Sequence, residues 1–198
     1  AMKVTDCEIA SNMGGIRNSG SLQLKNSKII ENKGIYGLSG IAIDNNLTGK
    51  VFMTDTTVSN NISEGNAYGA VQNYGVFTME GNSMISGNQN VEGVYISGGF
   101  DDYPNSGRFI MNGGIISGNA GGVTNRQGYF EMNAGTISAN GSIGVENNGD
   151  FHFYGGTISQ HELIGVSTGG ALYMYDGAAI EYNHGSGVNV DNSAFFRM

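Results

Sequence analysis

The apolar positions of this chain recur in a fixed order. From Phe109 the sequence reads FIMNGGIISGN, then FEMNAGTISAN, FHFYGGTISQH and LYMYDGAAIEYN. Phe109, Phe130, Phe151 and Leu172 stand 21 residues apart; Ile116, Ile137 and Ile158 keep that step, and Ile180 comes one residue late. Each unit holds three short apolar runs: an F-x-M pair, an x-Ile-Ser-x-Asn run and a Gly-Val-x-Asn run. Alternation with period 2, carried by β-branched and aromatic residues, predicts strands. The runs are too short for helices, and glycine marks the corners between them. A period near 21 built this way predicts a solenoid.

The triplet runs from Met2 and Val4, Ile9 and Ile16 in the first unit to Leu172 and Met174, Ile180, and Val188 and Val190 in the eighth; Phe196 and Met198 open a ninth. Three short strands per unit, all pointing one way, predict an all-β fold: a single-stranded, right-handed parallel β-helix of about eight to nine coils. At about 4.8 Å per coil it would be about 40 Å long. Its interior is expected to stack Phe, Met, Ile and Val. Residues 1–198 leave no room for a second domain. Neither end carries a polar or helical cap, so a fragment of a longer repeat protein is expected, with end-to-end self-association through the uncapped ends.

The recurring asparagines (Asn12, Asn32, Asn61, Asn88, Asn119, Asn140 and Asn183) have a structural explanation. Stacked amides hydrogen-bond along a column, and asparagine tolerates the left-handed backbone of a tight corner. Asn18, Asn73, Asn125 and Asn147 form a second column of this kind.

The units GGIISGN, AGTISAN and GGTISQH, each followed by Gly-Val, resemble the right-handed parallel β-helix repeats of the pectate-lyase-like superfamily. They are similar to the GGTISGN-type repeats of large bacterial surface and secreted proteins. The resemblance spans nearly the whole chain and implies the fold and an extracellular or cell-surface location. It does not single out a function, because this solenoid hosts lyases, hydrolases, adhesins and passive stalks.

Composition narrows the choice. The net charge is −8 and only 13% of residues are charged, which excludes the basic stripes that nucleic acid or an anionic membrane surface requires. Nor is any apolar run long enough to span a bilayer. The single Cys7 excludes an intramolecular disulfide framework.

Breaks in the period point to a site. The steps from Ile9 to Ile29, Val58, Ile85, Ile116, Ile137, Ile158 and Ile180 are 20, 29, 27, 31, 21, 21 and 22 residues. The extra length lies in units two to four and borders the third strand, at 33–39, 44–50, 62–70 and 97–108. Insertions on one face of a repeat commonly build a binding surface. The expected groove has Ala42, Gln72 and Tyr95 as its floor, and Tyr36, Tyr68, Asp101, Asp102 and Tyr103 on its walls. Tyrosine rings stack on pyranose faces while polar groups take hydroxyls, so Tyr36, Tyr68, Gln72, Tyr95 and Tyr103 are the candidate ligands for a polysaccharide. The alternative is that these tyrosines pack under their own loops.

Between Lys50 and Arg108 there is no Lys or Arg, while the same stretch holds six carboxylates. Asp101 and Asp102 are therefore candidate Ca²⁺ ligands. A calcium-dependent polysaccharide lyase would need Lys33, Lys50 or Arg108 as its base, and a hydrolase two positioned carboxylates. His161 and His184 lack a third zinc ligand. The Thr-x-Ser pairs Thr57/Ser59, Thr136/Ser138 and Thr157/Ser159 reflect β-propensity. The expected function is a non-catalytic polysaccharide-binding domain; a lyase or related enzyme and a ligand-free stalk are the alternatives.

Overall fold

The structure is a computed structural model that describes residues 1–34, 41–65, 67–99 and 106–198. These residues form an all-β protein whose strands pair only in parallel, consistent with a β-solenoid. Each strand is bonded to its counterpart one repeat on. Leu22 pairs with Val51, Val51 with Phe77, Phe77 with Phe109, and Phe109 with Phe130. The first-strand and second-strand ladders belong to one 15-stranded sheet, and the third strands form an 8-stranded sheet.

The two ladders join because the first and second strands merge into Arg108–Ser117 and Tyr129–Ser138, with register irregularities at Met111, Asn112 and Ile115. Earlier units turn this corner on a buried hydroxyl instead. The backbone N–H of Ser27 donates to Thr56 Oγ1, and that of Thr56 to Ser83 Oγ. From Gly114 onward a glycine with positive φ takes over. A second departure from the period-based reading is a short extra ladder pairing Lys33–Gly34 with Ile62–Ser63, inside the insertions of units two and three.

The interior is the one expected. Phe77, Phe109, Phe130 and Phe151 are fully buried and stack at 5.6, 5.6 and 4.5 Å between ring centroids. Met53, Met79, Met111 and Met132 form a neighbouring buried column. Each buried ring contributes about 2–3 kcal/mol of apolar transfer, and only the layers above and below complete its burial.

The asparagine columns hydrogen-bond as ladders. Asn61 Nδ2 donates to Asn88 Oδ1 at 2.9 Å, Asn88 to Asn119 at 2.8 Å, and Asn119 to Asn140 at 3.1 Å. The second ladder runs Asn18, Asn45, Asn73 and, beyond the interruption at Ile96, Asn125 and Asn147. One expectation is corrected: the ladder asparagines are not the left-handed residues. In the first ladder the residue just before each asparagine is, namely Ser11, Glu31, Asn60, Gly87, Gly118, Ala139 and Tyr182, with φ between 50° and 64°.

Candidate functional site

Along the middle of the third-strand sheet runs a column of outward residues, one from each strand. In register these are Arg17, Asp44, Gln72, Tyr95, Thr124, Glu146, Ser167 and Asn189. In the units with insertions this column is covered. Ala42 and Gln72 are fully buried and Tyr95 is 7% exposed, so the open floor expected at these positions is absent. Gln72 Nε2 donates to the Tyr74 hydroxyl, and Arg17 Nε pairs with Asp44 Oδ2 at 3.4 Å. Burial raises the Tyr74 phenol above its ordinary value, against the lowering effect of the Gln72 bond.

Tyr68 lies on Tyr95, with ring centroids 4.7 Å apart and planes 19° apart. Tyr68 is 38% exposed, so it is the ring that meets solvent and Tyr95 is the ring beneath it. Tyr36, Tyr103, Asp101 and Asp102 lie outside the described residues. Among the described residues no group of three or more His, Cys, Asp or Glu side chains converges.

The open site lies further along the same face. Beyond the Tyr68–Tyr95 stack is a cleft of about 510 Å³ floored by Thr124 and Glu146. Glu92 stands at the beginning of the strands, and Arg126, Gln127 and Asn148 line the far side. Gly121 pairs with Glu92, and a β-carbon there would crowd it, at 3.3 Å from Glu92 Cγ and from Ser142 Oγ. Desolvation by burial raises the Glu92 carboxyl above its ordinary value, and the Glu146 charge adds to the effect; a backbone hydrogen bond acts against it. The cleft thus offers an aromatic end, two carboxylates in unlike environments, a guanidinium and two amides. Of the lyase-base candidates Lys33, Lys50 and Arg108, Lys50 is exposed and the other two are engaged elsewhere. Lys33 pairs with Glu64 at 3.6 Å, and Arg108 lies over the Tyr129 ring at 4.2 Å.

Thr124, Arg126, Gln127, Glu146 and Asn148 escape a reading based on insertions because they belong to regular units. Their signal is register: Tyr95, Thr124 and Glu146 are in-line positions of successive third strands. Of the two histidines, His184 is exposed and His161 is structural in arrangement. His161 is fully buried, its Nδ1 accepts the Asn140 N–H at 3.3 Å, and its Nε2 lies 3.1 Å from the Ile137 carbonyl. With both ring nitrogens engaged, no lone pair is left for zinc. The serines Ser59, Ser86, Ser117, Ser138 and Ser159 form an unbroken column, while Met84 and Ile115 interrupt the threonines beside it. Compared with known proteins, the chain matches no family model, no curated protein and no solved structure at a significant level.

Proposed function

We propose that this chain is a non-catalytic, polysaccharide-binding domain of a bacterial surface or secreted protein. Its coils are those of a single-stranded right-handed β-helix, about eight to nine in number, like the pectate-lyase-like repeats it resembles. The observation that carries the reading is the Tyr68–Tyr95 stack at the head of a cleft lined by carboxylates, an arginine and amides. A pyranose face meets the Tyr68 ring, and its hydroxyls meet Glu146, Gln127 and Asn148. A ring already stacked on a second ring is held in place, so little side-chain freedom is lost on binding. Self-association through the exposed end residues Met2, Phe195 and Met198 belongs to the same proposal, with dimers in light scattering as its sign.

A glycan array, run with calcium and again with EDTA, tests the binding. Tyr68→Ala and Arg126→Ala are expected to abolish or strongly weaken it. Binding that survives both variants places the site elsewhere. Loss in EDTA alone brings in Asp101 and Asp102 as calcium ligands.

The Glu92–Glu146 pair supports a second reading, a carbohydrate-active hydrolase. A carboxyl raised by burial, Glu92, near an exposed one, Glu146, matches the unlike pair of carboxyls used in acid–base glycoside cleavage. Glu92 would protonate the leaving oxygen while Glu146 deprotonates the attacking water. Release of reducing ends from a polysaccharide, lost in Glu92→Gln with binding retained, distinguishes it from the first.

A further inference from the structure

The first-strand face carries a set of aromatic rings with no part in the cleft. Its outward column runs Ile110, Glu131, His152, Tyr173. Beside it, in successive repeats, lie Asn112, Asn133, Tyr154 and Tyr175. His152 stacks on Tyr173 at 4.6 Å and Tyr154 on Tyr175 at 4.3 Å, with planes within 16°. Tyr129 leans on His152 at 5.2 Å and Phe195 on Tyr173 at 5.4 Å. Tyr154 and Tyr175 are 40% and 41% exposed. An exposed group of rings this extensive is uncommon on a soluble surface and marks a contact site.

Stacking decides where a ligand can sit. Rings piled along the solenoid axis turn their faces to one another and only their edges to solvent. A free ring face remains where a column starts, and the Tyr154 column starts beside a shorter residue, Asn133. The result is a step, with the Tyr154 ring as riser and polar side chains as tread. Those side chains are already fixed. Asn133 Nδ2 donates to Asn112 Oδ1 and to Glu131 Oε1, each at 2.9 Å, and the Tyr129 hydroxyl donates to Glu131 Oε2 at 2.9 Å. Asn112 and Asn133 are exposed.

We infer that this step is a second saccharide-binding site, in which a neutral pyranose stacks on the free face of Tyr154 and hydrogen-bonds Asn133, Asn112 and Glu131. Charge selects the neutral sugar. Glu131 and Asp150 both lie on this face; of its cations, Arg108 is held between Glu131 at 4.0 Å and the Tyr129 ring, and Arg197 pairs with Tyr173 at the far end of the column, away from the step and beside Asp176. The chemistry also favours a sugar over an apolar peptide, because the rings at the step, Tyr154, Tyr175 and His152, carry hydroxyl or imidazole handles and amides lie beside them, while the unsubstituted ring of Phe195 sits at the far end of the group. This site goes beyond the cleft reading and stands on different residues.

The test is ¹⁹F NMR of protein made with 3-fluorotyrosine, its signals assigned by Tyr68→Phe, Tyr154→Phe and Tyr175→Phe. Cellohexaose and chitohexaose are titrated as neutral probes and hexagalacturonate as the acidic one. A neutral hexasaccharide is expected to shift the Tyr154 and Tyr175 signals saturably, and Tyr154→Ala to weaken binding at the step by about tenfold or more. Shifts confined to Tyr68 overturn this site and leave the cleft reading standing. Shifts at Tyr154 without Tyr68 uphold this site and count against the cleft. A response at Tyr154 to hexagalacturonate alone overturns the neutral-sugar assignment, and no response at either place overturns both proposals.

Discussion

At the residue scale, the amide ladders explain why asparagine recurs at a position that a hydrophobic repeat would leave free. Asn32, Asn61, Asn88 and Asn119 each accept with the side-chain oxygen from the coil before and donate with the nitrogen to the coil after and to a core carbonyl, as Asn119 does to Ile85 at 3.1 Å. His161 takes this position in one coil and makes the ladder pH-sensitive. Its Nδ1 must accept from Asn140, so the single proton of the neutral ring belongs on Nε2, facing the Ile137 carbonyl. A second proton would set an N–H against the Asn140 N–H. Burial accordingly lowers the His161 pKa below 6.5, against the raising effect of the two backbone bonds. With the folded value below the unfolded one, the unfolded chain binds more protons in the window between them, so stability rises with pH there. The contribution is complete above about 6.5 and is lost as pH falls from there toward the folded value. His161→Asn restores an uncharged amide. Urea midpoints at about pH 7.5 and 5 are expected to fall more for the natural chain than for the variant; equal falls would remove the histidine from the explanation.

At the element scale, the strands are short because the corners must be tight, and the corner glycines answer to the neighbouring coil. Gly149 has no left-handed φ, but a β-carbon on it would lie 2.3 Å from the Gly128 carbonyl oxygen one coil earlier. Gly170 stands in the same relation to Gly149, at 2.2 Å. These positions are closed to any side chain by the stacking of backbone on backbone, about 4.8 Å apart. Gly149→Ala is expected to cost about 1–3 kcal/mol through overpacking. Gly20→Ala is the comparison, since nothing lies within 4 Å of the added methyl and the loss of unfolded-state freedom makes it neutral or slightly stabilising. Denaturant melts that rank the two variants equally would contradict the packing account.

At the scale of the whole molecule, each layer touches only its neighbours, so stability is a sum of layers and interfaces. Burial follows suit. Val123, Val145 and Val166 are buried, whereas Val188 is partly exposed and Val190 is 43% exposed. Local opening should be graded in the same order. Amide hydrogen exchange is expected to be slowest in Arg108–Ser117 and Tyr129–Ser138 and markedly faster in Ala178–Glu181 and Val188–Val190. Uniform protection along the chain would mean a single cooperative unit instead.

The repeat made the architecture legible because burial repeats with it. Phe109, Phe130 and Phe151 sit at the same step in sequence and in the same column in space, and the asparagine ladders follow from one residue recurring at one phase. The insertions drew attention to the third-strand face, and Tyr68 and Tyr95 do meet there. Their order, with Tyr68 outside and Tyr95 beneath it, came only with tertiary packing, as did the burial of Gln72. The cleft beyond them is made by Glu92, Thr124, Arg126 and Glu146, which lie up to 54 residues apart and become neighbours through strand register. The same holds for the step at Tyr154. The sequence by itself determined which residues face inward, since a periodic hydrophobic pattern has one way to be buried. Which outward residues share a surface was decided by the tertiary structure alone, because stacking brings together positions a whole coil apart.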